Sequence, residues 1–281
     1  MKKLMNLKSV SLLVSFVFMT LVFSCTKDSV RNADDGYSTD NEHIKSISAK
    51  NGAIVHQYHY DVAGRIVEEN CLSYFQKYLY DENSRLIKVE AAFDETMYSS
   101  TFVEGRTEFM TSKNSEVKSY SLYKYDKMGR LTKTEHYFNM TGKEFELRST
   151  RTFEYDGTNM VQVNLHNETG QITQYHVFTY DQNGNVTNDK YYSNLFGATD
   201  KLVSENSYKY DNYKNPYRIF SMTGSPGMYT NVNNIIETST TRHEEVPGFD
   251  KYSTSTNSYQ YNKNGYPVKV NENGNAFEYN Y

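Results

Sequence analysis

The sequence predicts an all-β fold, an antiparallel meander of repeated hairpins, and three observations carry that prediction. A tyrosine-rich motif recurs along the chain, an acid and a glycine stand at fixed offsets after it, and apolar residues alternate with polar ones between copies. The fullest copy is Tyr123-Lys-Tyr125-Asp126-Lys-Met-Gly129-Arg130-Leu131. Others begin at Tyr58-His-Tyr60-Asp61, Tyr78-Leu-Tyr80-Asp81, Phe153-Glu-Tyr155-Asp156, Phe178-Thr-Tyr180-Asp181, Tyr208-Lys-Tyr210-Asp211, Tyr259-Gln-Tyr261-Asn262 and Phe277-Glu-Tyr279-Asn280.

Aromatics at i and i+2 with a polar residue between them have the period of a strand with one buried face. The following Asp caps a turn with its side chain, and Gly64, Gly129, Gly184 or Gly265 supplies the positive φ that closes it. Ile66, Leu86, Leu131, Val161 and Val186 each stand five residues after the Asp and begin the return strand. Ser84 and Lys214 replace the glycine in two copies, and Asn159 stands there in a third.

The 281 residues carry a formal charge of −4 and only 37% hydrophobic residues, with 27 Tyr and no Trp. Tyrosine is the core material, since one ring removes ~150–250 Å² from water while its hydroxyl reaches a polar partner. Mean hydropathy of −0.76 alone would suggest disorder, which the strand patterning after about residue 43 opposes. The mild negative charge leaves no electrostatic footprint for nucleic acid.

Taken in order, residues 1–24 read as a signal peptide: Lys2, Lys3 and Lys8 precede an apolar run from Val10 to Phe23 that is short for a bilayer span. Val22-Phe23-Ser24-Cys25 resembles the lipobox of bacterial lipoproteins, which implies that Cys25 is lipidated and anchors the chain in a membrane. Thr26 at the next position favours, by the same resemblance, the outer membrane or cell surface. Residues 25–42 form the lipidated cysteine and a disordered, acidic tether. Residues 43–281 form the repeat domain, with Cys71 as its one cysteine and therefore no internal disulfide.

The array starts near Ile44, turns at Asn51-Gly52 and enters the first copy at Tyr58. Irregular spacing between copies reflects second turns of varying length, at 139–142, 167–170 and 196–200. An eroded copy is expected around 102–107. The longest gap opens with a breaker-rich stretch, 223–234, and contains another turn at 246–249. No stretch sustains a helical period.

Eight hairpins give about sixteen short strands, more than an open twisted sheet holds without curling. The expected form is an elongated, strongly curved meander, with a closed soluble barrel as the alternative. Strand exteriors rich in Lys, Glu, Thr and Ser exclude a lipid-facing barrel wall.

Tyr-x-Tyr-Asp-x-x-Gly-Arg-Leu resembles the YD repeat of RHS-type proteins, in full from Tyr123 to Leu131 and in part elsewhere. The resemblance implies a spiralling β-sheet. It is nearest to small bacterial surface lipoproteins with such repeats and no assigned activity.

Catalytic signatures are absent, and the expectation is a protein that is not an enzyme and holds no metal or other cofactor. His56 and His59, three apart on a strand, face opposite sides and cannot share an ion. Asp181-Gln-Asn183-Gly-Asn185 reads as a turn, since Tyr192 stands where a calcium loop needs Glu. Glu68-Glu69 and Glu244-Glu245 are neighbours whose carboxyls diverge. The function expected is a lipid-anchored binding or scaffold module for a glycan or a surface protein. The alternative is a secreted polysaccharide hydrolase with dispersed carboxylates. Tyr229, Phe249 and Tyr252, in or beside the irregular insertion, are the candidate ligand-binding residues.

Overall fold

The computed structural model describes residues 42–94, 108–139, 142–194, 200–244, 248–272 and 274–281. The signal peptide, Cys25, nearly all of the tether and the expected eroded copy at 102–107 lie outside the described residues, as do the turn residues 140, 141, 195–199 and 245–247. The described chain forms sixteen strands: β1 (Ser46–Ala49), β2 (Ile54–Tyr60), β3 (Ile66–Cys71), β4 (Tyr74–Tyr80), β5 (Leu86–Phe93), β6 (Ser119–Tyr125), β7 (Leu131–Phe138) and β8 (Glu146–Asp156). They continue as β9 (Asn159–His166), β10 (Ile172–Tyr180), β11 (Val186–Ser193), β12 (Lys201–Lys214), β13 (Asn233–Arg242), β14 (Tyr252–Tyr261), β15 (Pro267–Glu272) and β16 (Asn275–Asn280). A 3-10 helix at Pro216–Thr223 separates β12 from β13.

Every strand pairs antiparallel with its sequence neighbours, and β1 pairs with β16, so the meander closes into a barrel. The all-β hairpin architecture is as expected; of its two forms the closed one is adopted, not the open curved sheet. A bulge repeated at one position in successive copies curls the sheet. The register shifts between His59 and Tyr60, Leu79 and Tyr80, Lys124 and Tyr125, Thr179 and Tyr180, and Gln260 and Tyr261. Each bulge bends its strand and increases the local twist, and accumulated bending brings the two edge strands together.

The motif has a physical role for each residue. Asp126 Oδ1 accepts from the backbone N–H of Met128 (2.8 Å) and Arg130 (2.9 Å), while Oδ2 accepts from Arg130 Nε (2.9 Å). Asp61 and Asp81 repeat this arrangement with Arg65 and Arg85. Ser84 takes the glycine's place at φ 61°, the left-handed conformation the turn demands. The second tyrosine then latches one copy to the one before. Tyr80 donates to the carbonyl of Ile66 (2.8 Å), Tyr125 to Leu86 (2.8 Å), Tyr155 to Leu131 (2.9 Å) and Tyr180 to Met160 (2.6 Å). Arg65 and Arg130 lie over the rings of Tyr80 and Tyr155, 4.7 and 5.1 Å from the centroids, adding a cation–π contact at the same joint.

Three expectations about individual copies are corrected. The 156–159 turn is a tight reversal with Asp156 paired to Asn159, so Met160, not Val161, stands opposite Tyr155. Gly157, at φ 58°, is the residue that permits it. Lys214 closes no turn, because the copy at Tyr208 is opened by an insertion. Asp211 Oδ1 accepts from Tyr213 N–H and, 23 residues later, from Asn234 N–H, so residues 215–232 are looped out of an otherwise ordinary turn. The last copy is shifted by two residues: Tyr279 occupies the buried first position and Tyr281 the latching one, donating to Pro267 O (2.8 Å). Its return strand is β1, and Tyr60 latches to Ile44 there (2.6 Å).

On the outer wall, residues 108–118 cover Phe75 and Ala92 with Met110 and Val117, and Ser112 binds Glu68 through its N–H (2.9 Å) and hydroxyl (2.8 Å). Elsewhere that wall carries cross-strand ion pairs such as Lys124–Glu135 (2.9 Å), Lys209–Glu237 (2.8 Å) and Lys269–Glu278 (2.6 Å).

Candidate functional site

The looped-out segment crosses the barrel and stoppers one end. Phe220 packs on Tyr58 of β2 and Tyr78 of β4, with ring centroids 5.7 and 6.2 Å apart. The Tyr217 hydroxyl meets that of Tyr279 on β16 at 3.0 Å. A Cβ on Gly224 would stand 2.5 Å from Leu131 of β7 and 3.0 Å from Phe153 of β8, so the segment also reaches the opposite wall. Three buried asparagines pin it. Asn215 caps the helix by accepting from Tyr217 N–H (3.0 Å) and donates to the carbonyls of Met228 (2.6 Å) and Asn231 (2.9 Å). Asn231 accepts from Val186 N–H (2.8 Å), and Asn185 accepts from Val232 N–H (2.8 Å) and Asn233 N–H (3.0 Å). Backbone groups of an irregular buried segment need such partners, and here side chains supply them.

Beyond this plug the inward row turns polar. Alternation from the tyrosines that touch Phe220 places His56, Glu69, Tyr74, Ser121, His136, Arg151, His176, Asp189, Asn206 and Thr240 on the lumen face. Solvent still reaches them: the side chains of His56 and His176 are 29% and 25% exposed. A fully packed interior would have hidden both, so the inner wall beyond the plug is open to solvent at these positions.

Two polar clusters project into it. Glu69 accepts from the Tyr74 hydroxyl (2.8 Å) and lies 3.3 Å from His56 Nδ1. His176 Nδ1 contacts Asp189 Oδ1 at 2.7 Å. Burial first, and the Glu69 charge second, push the hydroxyls of Tyr58, Tyr74 and Tyr78 well above the usual phenol range, so these remain neutral donors. Burial lifts the Glu272 carboxyl to about 8, and burial assisted by the Arg151 charge lowers His136 to about 4. Both are therefore uncharged at neutral pH. Among the described residues, no group of three or more His, Cys, Asp or Glu side chains is placed to hold a metal ion.

The candidate residues from sequence do not form one site. Tyr229 packs on Phe220 (5.4 Å between centroids) within the plug. Phe249 and Tyr252 are 64% and 67% exposed, beside the far end of β13, where Arg242 lies over the Phe249 ring. The ten residues of β13 separate that end from the plug by ~30 Å. His56 and His59 do face opposite sides, as do Glu68 and Glu69, and Asp181 does close a turn through Asn183 and Asn185 N–H. Cys71 is buried, with its sulfur 3.2 Å from Ser73 Oγ. Sequence reasoning missed Arg151 and Glu272. Their signal was a charged residue next in the period-two row to apolar or hydroxyl side chains of its own strand, Ser149 and Phe153 on β8 and Val270 on β15. A separate hollow of about 380 Å³ on the outer wall includes Tyr175, which faces away from the lumen, opposite to His176.

No protein-family model matches this sequence, and no curated protein matches it. Among solved structures, a porin-like protein from Bacteroides uniformis is similar over 87% of this chain and 99% of its own, at 12% identity and a TM-score of 0.46. A porin-like protein from Bacteroides vulgatus is similar over 85% and 98%, at 10% identity and a TM-score of 0.48. A Tc holotoxin pore of Photorhabdus luminescens is similar over 81% of this chain and 16% of that one, at 13% identity and a TM-score of 0.26. None of these superpositions reaches 0.5, and the barrel described above rests on its own strand pairings.

Proposed function

We propose that this protein is a lipid-anchored, non-catalytic surface module of the YD-repeat type, and that it takes a polar ligand, a glycan or a protein segment, into the open end of its stoppered barrel. One observation carries the reading: an insertion closes the lumen at the repeat-turn end, while inward polar groups beyond it stay solvent-accessible. Such a vessel offers convergent donors and acceptors on a rigid wall, the usual character of a recognition site. The charged outer wall suits a barrel surrounded by water, because a lipid-facing row must be apolar. Attachment then falls to Cys25. Exchange of Cys25 for Ser should release the protein from the membrane fraction, and unchanged fractionation would reject the anchor.

The lumen is tested by narrowing it. Thr240→Trp places a large ring on the inner wall beside Asn206, to which the Thr240 hydroxyl donates (2.7 Å). Binding found for the full chain on a glycan array or in a surface pull-down should be lost in this variant at unchanged thermal stability. Undiminished binding would remove the lumen from consideration.

A rival reading, a polysaccharide hydrolase, draws on Glu272, an inward acid raised to about 8 and so protonated at neutral pH as a general acid must be. Turnover of a polysaccharide that disappears in Glu272→Gln would favour it over the binding module.

A further inference from the structure

Arg151 lies on the lumen face of β8, opposite Thr134 of β7 and Leu165 of β9. Arg65, Arg85, Arg130 and Arg148 each pair with a carboxylate, and Arg242 donates to the Asp250 carbonyl. Among the described residues Arg151 has no ion-pair partner. The titratable groups that interact with its charge are Tyr123, a neutral phenol raised by burial, and His136, neutral because burial and Arg151 itself depress it. Glu146, the acid at the rim of the same wall, is taken by Arg148, so among the described residues no carboxylate balances Arg151. Arg151 is half-buried, and a guanidinium does not shed its proton at physiological pH, so it stands on the inner wall as a charged, unpaired fork of donors open to an incoming anion.

A second orphan shares the row. Leu165 pairs in turn with Gln174 of β10, which places Gln174 on the same face two strands along, ~10 Å from Arg151 by backbone spacing. Gln174 is only 2% exposed, and its Oε1 has no donor. The wall thus presents a planar fork of donors lacking an anion and a buried acceptor lacking a hydroxyl. Ser121, Thr134 and Ser149 line the same face. Once both side chains reach inward, one pyranose ring bridges the gap.

We propose that the β7–β10 wall of the lumen binds a carboxylate-bearing sugar ring, with the carboxylate accepting from Arg151 and a ring hydroxyl donating to Gln174 Oε1. This deepens the lumen-binding reading and rests on it. A simple inorganic anion would satisfy Arg151 but not Gln174, whereas an acidic saccharide satisfies both.

The test is calorimetry on the purified full chain with galacturonate and glucuronate oligomers, their methyl-esterified counterparts, the free monosaccharide acids and inorganic phosphate. At least one acidic oligomer should bind, its ester should bind about tenfold more weakly or worse, and Arg151→Gln should lose about tenfold or more. Gln174→Leu should lose several-fold. Arg151→Gln should melt no lower than the parent, because it removes an uncompensated interior charge, which separates lost binding from lost folding. Binding of the free acid as tight as the oligomer would place the whole site on one ring. Equal binding of acid and ester, full binding by Arg151→Gln, phosphate competing as well as the sugar, or no binding in either acid series would each overturn the assignment. If Thr240→Trp abolishes binding while Arg151→Gln does not, the lumen stands and only this assignment falls. If neither variant matters, both fall.

Discussion

Replacement of Gly224 by Ala probes whether the inserted segment is seated against the barrel wall. The residue has φ 72°, and an added Cβ would lie 2.5 Å from Leu131 Cδ2 and 3.0 Å from Phe153 Cζ. Two costs combine. A left-handed conformation disfavours Ala by roughly 1–2 kcal/mol, and forcing a methyl into a filled contact costs roughly 1–3 kcal/mol. The expected loss is about 2–5 kcal/mol. Gly129→Ala is the control, since it has φ 79° with no atom within 4 Å of the new methyl and so bears only the conformational cost. Urea denaturation of both variants gives the difference, which should be about 1–3 kcal/mol in favour of Gly129→Ala, and hydrogen exchange should show faster opening of residues 215–232 in Gly224→Ala. Equal destabilisation of the two variants would refute the plug, because the close approach to β7 and β8 would then not exist.

Tyr125→Phe leaves the Leu86 carbonyl without the latch hydroxyl and should cost about 1 kcal/mol in denaturation, whereas Tyr252→Phe, at an exposed ring, should stay within about 0.5 kcal/mol of the parent. The turn acids Asp61, Asp81 and Asp126 are held below the ordinary carboxylate value, chiefly by the backbone N–H four residues on. A depressed folded-state value means a stabilisation present in full above the ordinary value and lost as pH falls from there through the folded-state value; replacing all three by Asn should flatten the acid limb of a stability–pH curve. Glu272 has the opposite sign. Its folded-state value near 8 lies above the ordinary one, so the folded state holds its proton more tightly and stability declines as pH rises from about 4.5 towards 8. Glu272→Gln should therefore gain on the parent between pH 6 and pH 9 by urea midpoint, and a constant gap would count against the buried acid. Phe220→Ala should cost roughly 3–5 kcal/mol by emptying the contact with Tyr58 and Tyr78.

Much of the fold is local and was legible as such. Tyr123, Tyr125, Asp126, Gly129 and Leu131 determine a strand, a turn and a return within nine residues, and the interactions that fix them run between neighbours in sequence. The period of two assigns Tyr58, Tyr78 and Tyr279 to the inner face before any partner is known. Absence of the glycine at Ser84 did not matter, because one left-handed residue is a small cost inside a turn held by Asp81. The latches were not legible. Tyr125 reaches back 39 residues to Leu86, across a connection of variable length, and nothing near Tyr125 announces that partner.

Local chemistry in the sequence thus determined an antiparallel meander with an aromatic face and polar back. Tertiary structure decided whether that meander stays open. Closure depends on the bend contributed by successive bulges, and the match of Ile47 with Tyr279 emerges only when all of them are summed around the sheet. The candidate site was decided the same way. Residues 215–232 read as a breaker-rich loop, yet their hydrogen-bond partners at Asn185, Val186 and Tyr279 lie elsewhere in the barrel. Arg151 became conspicuous only once the residues across from it were seen to include no acid, since the worth of a partly buried charge is set by its spatial neighbours and not by those beside it in the chain.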